Sequence, residues 1–533
     1  MNFLESIKRW LFPAPALSHM RLGPDDSQDN PLMIQFFTWN SHHPDMSWWQ
    51  HFESELPRLS NLGFTQVWLP PPNKAAWKAG WEGIRCWDLG EFDQKGSIPT
   101  RWGTKEEFLH ACDVAKRYKI DVIIDAVLNH KLGGDRRETF SAVPVNPQNR
   151  LKSEGRPREI EGWTAFDFPG RRGKYSAFRW NQTHFSGLDW DDRTRTKGIY
   201  RIEGPGHKGW SKNVDRELGN YDYLLGIDID HRHPAVQEDL FNWGSWVLQY
   251  IHLQTTGAVG FRLDAIKHID QKFLISFIER ARSQKPRMLA VSEYWSGDVK
   301  SIMPYIRAFK GQTAFFDVPL HMNFNQASLH WTRYDLRTIL NNTVAKLKPR
   351  DAVTFVDNHD TVSAKVDYAC LYKYMISWSQ VEGQSLESWV GSNFKIQAYT
   401  LILLREEGYP CVFYGDIYPH FECYDAEVAR NVIRLIAARK LFAYGPTHEY
   451  PHDRKCIGFV RTGDSTHQGC AVLLSNKEEC GNFVHSVKMN VGVQNAGTCF
   501  KSWMSDGGRV DIDSEGWGTF TCFPNYVQVW VRV

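Results

Sequence analysis

KIDVIIDAVLNH (119–130) is an almost unbroken apolar run, interrupted by Asp125 and closed by Asn129 and His130. It follows a segment whose Phe108, Ala111, Ala115 and Tyr118 share a helical face, opened by Thr104 and Glu107 at capping-box spacing. A strand without polar alternation is buried on both faces. Placed after an amphipathic helix, it marks a parallel sheet of the α/β class.

Working outward, the same alternation recurs. MIQFFTW (33–39) and TQVWLP (65–70), the latter stopped by Pro70, Pro71 and Pro72, read as strands on either side of a helix, WWQHFESELPRLSNLG (48–63), ended by glycine. Downstream, VQEDLFNWGSWVLQYIHLQ (236–254) is helical in period. Further strands are expected at VGFRLDA (259–265), RMLAVSE (287–293), TAFFDVP (313–319), AVTFVDN (352–358) and CVFYG (411–415). Eight strand–helix units predict a (β/α)8 TIM barrel. The alternative is an open doubly wound sheet, and no GxGxxG follows the first strand to support it.

Two regions break the rhythm. Residues 131–232 are rich in Gly, Pro, Arg and Asp and too long for a plain loop, which predicts an excursion domain of short strands after strand 3. Beyond a helix at about 427–442, KCIGFVR (455–461), GCAVLLSN (469–476) and VQVWVRV (527–533) predict a C-terminal antiparallel β-sandwich. The expected organisation is a tail over 1–30, the barrel over 31–130 and 233–440, the excursion over 131–232 and the sandwich over 441–533.

Composition narrows the function. With 42% hydrophobic and 23% charged residues among 533, the chain is a folded protein. A net charge of +2 without a basic block argues against a nucleic-acid partner, and no stretch approaches 18 apolar residues, which argues against a membrane one. MNFLESIKRWLFPAPALSHM is interrupted by Glu5, Lys8 and Arg9, so it lacks a secretory pattern and a cytoplasmic location is expected. Ten cysteines without a CxxC pair read as reduced thiols; Cys456, Cys470, Cys480, Cys499 and Cys522 are the set where a disulfide or metal is the alternative. Aromatic residues reach 14%, with eight tryptophans between Trp39 and Trp102, compatible with sugar rings, bases or core packing.

In a barrel of this kind, chemistry sits at the C-terminal ends of the strands. There the sequence puts Asp125, Asn129 and His130; Arg262, Asp264, Lys267 and His268; Glu293; and His359 and Asp360 after Asp357 and Asn358. Each has a structural reading alone, as a cap, a turn former or an ion pair. Three carboxylates at one mouth with histidines and an arginine suit a reaction that develops positive charge on carbon, and glycoside cleavage is such a reaction.

DAVLNH (125–130), GFRLDAIKH (260–268), the Glu of AVSEYW (290–295) and FVDNHD (355–360) resemble, in order, the four signature segments of the α-amylase family of glycoside hydrolases. LGEFDQKGSIPTRWGTKEEF (89–108), GNYDYLLGIDID (219–230) and REEGYPCVFYGD (405–416) are more similar to bacterial liquefying-type amylases and their intracellular fungal relatives. The resemblance implies a retaining α-1,4-glucan hydrolase with Asp264 as nucleophile, Glu293 as general acid/base and Asp360 as the third, transition-state-stabilising carboxylate. Retention implies a separation of about 5–5.5 Å between the first two. Arg262 is expected beside Asp264, His130 and His359 on the sugar before the scissile bond, and Lys267 and His268 on the sugar beyond it.

The resemblance also implies one structural Ca2+ between excursion and barrel, held by Asn129, Asp222, Asp228 and the His268 carbonyl. Aspartates that help hold further ions in the bacterial enzymes match Ser186, Ser211 and Arg232, while Asp230 remains, so no second ion is expected. Where the relatives carry a stacking tyrosine and, shortly after, an aspartate, GWEGIRCWDLGEF (80–92) has Trp81 and Arg85, both expected to line the substrate cleft. A 4-α-glucanotransferase acting on short maltooligosaccharides is the second reading. A non-catalytic carbohydrate-binding member is the third, although none of its three expected carboxylates is lost. The expected partner is an α-glucan or maltooligosaccharide, bound by a monomer.

Overall fold

Eight short parallel strands, buried along their whole length, close into a barrel in the computed structural model, which describes residues 14–24, 29–75, 86–248, 256–361, 386–419, 424–479 and 481–533. They are β1 (Met33–Gln35), β2 (Gln66–Leu69), β3 (Asp121–Ala126), β4 (Gly260–Leu263), β5 (Leu289–Ser292), β6 (Ala314–Phe316), β7 (Ala352–Phe355) and β8 (Tyr409–Phe413). Each pairs with its sequence neighbour and β8 closes on β1, Met33 opposite Cys411. All eight expected strands are present; β1 to β7 are each shorter than their apolar runs, and β8 begins two residues before the expected CVFYG. The surplus residues continue past the barrel rim, where the polar side chains sit.

The helices between them follow local sequence. Trp48–Leu62 is opened by a Ser47–Gln50 capping box and stopped at Gly63, whose φ of 87° a side chain disfavours. In Lys105–Arg117 the predicted box forms, Glu107 N–H to Thr104 Oγ1 at 3.3 Å and Thr104 N–H to Glu107 Oε2 at 2.8 Å. The N-terminal tail is anchored where it is described: Ala16 N–H donates to Asp351 Oδ1 at 2.7 Å and Arg21 pairs with Asp121.

The excursion forms a seven-stranded antiparallel sheet that begins at His130–Lys131 and ends at Ile227–Ile229, two strands that pair with each other. Its neck therefore puts Asp228 opposite His130, directly above the end of β3. The C-terminal region, Thr447–Arg532, forms a six-stranded and a two-stranded antiparallel sheet around Val460, Leu473, Met489, Phe520 and Trp530. Of the six described tryptophans between 39 and 102, Trp48, Trp49, Trp68, Trp87 and Trp102 are buried, and only Trp39 is exposed, at 37%. Most of the aromatic excess there is core. The described cysteines are all unpaired, and Cys480 lies outside the described residues.

Candidate active site

Register brings the carboxylates together. Arg262 in β4 is the partner of Asp125 in β3, and Leu263 is the partner of Ser292 in β5. Asp264 and Glu293 each follow the last residue of that register pair, so adjacent parallel strands deliver them side by side at the barrel mouth. Glu293 N–H donates to Leu263 O at 2.9 Å and Asp264 N–H to Ala126 O at 3.2 Å, tying both residues to the neighbouring strand.

Arg262 is the hub. It is 2% exposed, and its Nη1 donates to Asp125 Oδ1 at 2.9 Å and to Asp264 Oδ1 at 2.6 Å, while Nη2 lies 2.9 Å from Glu293 Oε2. One planar guanidinium thus spans the expected nucleophile and the expected acid/base. Its plane rests on Trp68, with the guanidinium carbon 4.9 Å from the ring centre, and Trp68 Nε1 donates to Asp125 Oδ2 at 3.2 Å. Burial works against the arginine's charge, but Asp125, Glu293, Asp264 and Asp360 outweigh it and hold the cation well above its ordinary range.

The same burial acts in reverse on the acids. Glu293 is raised above the ordinary carboxylate range, first by desolvation and next among the raising causes by Asp264, with Arg262, the Ala265 N–H and Lys267 opposing. That N–H, on a residue with φ of 47°, donates to Glu293 Oε2 at 2.9 Å and aims the carboxyl. Asp360 is raised further, by burial and then by Glu293. Asp360 follows a tight turn in which Asn358 Oδ1 accepts its N–H at 2.9 Å, and His359 Nε2 lies 3.4 Å from Asp360 Oδ2. A site with one strongly fixed cation and several acids in different environments can divide nucleophile from proton donor.

The remaining expected residues fall into three groups. His130 and His359 are buried at the same mouth, and burial keeps both imidazoles neutral, His130 down to about 4. Both ring nitrogens of His130 are buried without a hydrogen-bond partner, and His359 Nδ1 meets Gln35 Nε2 at 3.1 Å. Lys267 and His268 are turned inward: Lys267 Nζ donates to Glu217 Oε2 at 2.8 Å and Trp295 O at 3.0 Å, and His268 Nδ1 meets Tyr221 O at 2.8 Å. Trp81 and Arg85 lie outside the described residues. Sequence reasoning did not single out Trp68, Gln35, Glu217 or the Ala265 amide. It also missed Trp39, which stacks on His359 at 5.9 Å and 12°. These contacts join residues far apart in the chain, and the only local signal was the tryptophan density around Trp39 and Trp68.

At the neck of the excursion, the residues expected to hold a cation fit one. Asn129 is fully buried with both side-chain polar atoms unpartnered, and Asp228 Oδ1 is equally orphaned while Oδ2 accepts from Ser186 Oγ. Asp222 Oδ2 accepts the Ser211 N–H at 2.6 Å. Burial raises both aspartates, and each lies within electrostatic reach of other carboxylates. Unpaired buried oxygens of this kind suit a hard cation. The three replaced positions do otherwise. Ser211 Oγ donates to Asp270 Oδ2 at 2.6 Å, and Arg232 grips Asp230 with Nε at 2.7 Å and Nη2 at 3.0 Å. A separate group able to hold a metal, His452, Asp453 and His485, lies in the C-terminal region, its ligand atoms all within 4.8 Å of one another.

Among the described residues, no helix is long and apolar enough to cross a membrane. The chain is 39% identical over 507 residues to an alpha-amylase of Geobacillus stearothermophilus, covering 94% of this chain and 87% of the relative. It is 39% identical over 509 residues to a glucan 1,4-alpha-maltohexaosidase of Bacillus sp. (strain 707), covering 94% and 92%. It is 37% identical over 522 residues to the cytoplasmic alpha-amylase of Escherichia coli (strain K12), covering 94% and 99%. Among solved structures it superposes on wild-type alpha-amylase I from Eisenia fetida with a TM-score of 0.61 at 14% identity, covering 95% of this chain and 98% of that one. An acarbose complex of the Geobacillus thermoleovorans alpha-amylase gives 0.59 at 18%, with the same coverage. At those identities the structural likeness concerns the fold alone. No protein-family model matches the chain.

Proposed function

The chain belongs to the α-amylase family of glycoside hydrolases, and from that premise we propose that it hydrolyses internal α-1,4 bonds of glucans with retention of configuration. The observation that carries the reading is the single Arg262 guanidinium in contact with Asp125, Asp264 and Glu293 at the ends of three successive strands. In the first step Glu293 gives its proton to the glycosidic oxygen as the Asp264 carboxylate attacks the anomeric carbon; the C–O bond to the leaving chain breaks and a glycosyl ester forms. In the second, Glu293 takes a proton from water, whose oxygen displaces Asp264. Asp360 stabilises the charge that develops between the two states. The burial that raises Glu293 supports its role as donor, and the Arg262 contact supports the placement of the Asp264 carboxylate as the attacking group.

Neutral His130 and His359, with Trp39 stacked on the latter, are assigned to sugar hydroxyls and a ring face before the scissile bond, and Trp81 and Arg85 to the same cleft. Lys267 and His268 are assigned beyond it. One Ca2+ is proposed at Asn129, Asp222, Asp228 and the His268 carbonyl, where it would neutralise the buried aspartates and tie the excursion to the end of β3. A cytoplasmic location is supported by the likeness to the cytoplasmic enzyme of Escherichia coli.

The deciding experiment follows products from maltopentaose and soluble starch over time. Shorter maltooligosaccharides of retained anomeric form are expected. Products longer than maltopentaose would identify transfer to sugar, and no turnover by the folded, calcium-loaded protein would overturn the reading.

A further inference from the structure

Glucan hydrolysis makes no use of the second metal-capable group. His452 and Asp453 end the strand Thr447–Asp453, and His485 begins the strand His485–Asn490, which belongs to the other sheet of the C-terminal region. Consecutive strand residues ordinarily point to opposite faces. Here the pairing with Cys456–Arg461 shifts register between Pro451 and Asp453, and the irregularity lets two neighbours converge. Asp453 Oδ2 lies 3.8 Å from His485 Nδ1 and 3.9 Å from His452 Nε2. The second oxygen, Oδ1, is occupied by the Lys455 N–H at 2.6 Å, which leaves Oδ2 for the imidazoles.

His485 supplies an independent observation. It is 2% exposed, and its Nδ1 is buried without a hydrogen-bond partner, a costly arrangement for a polar atom. Its Nε2 sits 3.0 Å from Ser475 Oγ. A proton on Nε2 donated to Ser475 leaves the Nδ1 lone pair facing Asp453, the orientation an outer-shell partner imposes on a metal-bound imidazole. The nearby Lys477 ammonium rests over the Phe483 ring at 4.5 Å.

We propose that His452, Asp453 and His485 form a site for a borderline transition-metal dication of the Zn2+ class, with water completing its coordination. Two imidazoles and one carboxylate select such an ion over calcium, which prefers an all-oxygen shell. Zinc holds nitrogen at about 2.0–2.1 Å, so the ligand atoms must draw together slightly. His452, 39% exposed on a hairpin, has the freedom to do so. The bound ion bridges the two sheets. It also sits beside the seam with the barrel, because Arg454 O accepts the Leu336 N–H at 2.8 Å and Arg454 Nη2 donates to Arg333 O at 2.8 Å.

The test titrates untagged, calcium-loaded full-length protein with Co2+ and then Zn2+. One equivalent of Co2+ is expected to give the intense visible bands of four- or five-coordinate cobalt, removed by Zn2+ and unaffected by excess Ca2+, and Zn2+ is expected to raise Tm. His452→Ala and Asp453→Asn, both at partly exposed side chains, should each weaken binding about tenfold or more while leaving maltopentaose turnover unchanged. His485→Ala should abolish the cobalt bands. A weak octahedral spectrum from the parent, or unaltered affinity in His452→Ala and Asp453→Asn, would overturn the assignment.

Discussion

Arg262 and Asp264 are two residues apart on one strand edge, and the arginine's Nη1 donates to the aspartate's Oδ1 at 2.6 Å while also holding Asp125. An aspartate in that grip is aimed into the mouth of the barrel. Asp264→Asn keeps the volume and removes the charge, so kcat on maltopentaose is expected to fall by about three orders of magnitude or more. Glu293→Gln should do the same with oligosaccharide binding still measurable by calorimetry. Substantial turnover in the Gln variant would refute Glu293 as the proton donor.

The raised proton affinity of Glu293 sets the pH profile. Burial and Asp264 favour its protonated form, so the alkaline limb of kcat/KM is expected above the ordinary glutamate range. Lys267 pulls in the opposite direction, and Lys267→Met should therefore move that limb to higher pH whatever it does to KM. The same shift has a stability sign. A carboxyl raised in the folded state contributes stability at acid pH that is lost as pH rises through its folded value. Glu293→Gln is accordingly expected to gain Tm relative to the parent at pH 8 and to converge with it in acid.

Calcium removal tests the neck. Elemental analysis should return one Ca2+ per chain, and chelation should lower Tm; an ion present at about a hundred times its Kd contributes about 2.7 kcal/mol. Asp228→Asn should remove most of the response to calcium. A second strongly bound ion beside Ser186, found by soaking with a heavier cation, would contradict the single-ion assignment.

Gly260 tests the barrel itself. A Cβ there would lie 2.0 Å from Leu289 O in the neighbouring strand. Gly260→Ala must push β4 from β5, and about 1–3 kcal/mol of destabilisation is expected by denaturant unfolding. Because Arg262 and Asp264 ride on β4, kcat should fall in the fraction that remains folded.

Eight strands were legible because each apolar run was bounded by glycine, proline or a helical period, and the polar residues at their ends stood out against those runs. Asp125, Arg262, Asp264 and Glu293 meet because parallel register is inherited from strand order, which the sequence displays. Gln35 on His359 and Glu217 on Lys267 were not legible, since they join segments 324 and 50 residues apart through loops with no periodic signal. His452 and His485 escaped for the same reason, and because the shift that gathers Asp453 breaks the strand alternation on which sequence reading relies.

Arg232 clasps Asp230 through two of its nitrogens. A cation carried on the polymer has no dissociation constant: it cannot be dialysed away, outcompeted by a chelator or diluted in a calcium-poor compartment. At that locus charge balance is inherited with the gene and is independent of the surrounding medium, so the calcium dependence proposed for the neck would rest on the single cradle around Asn129.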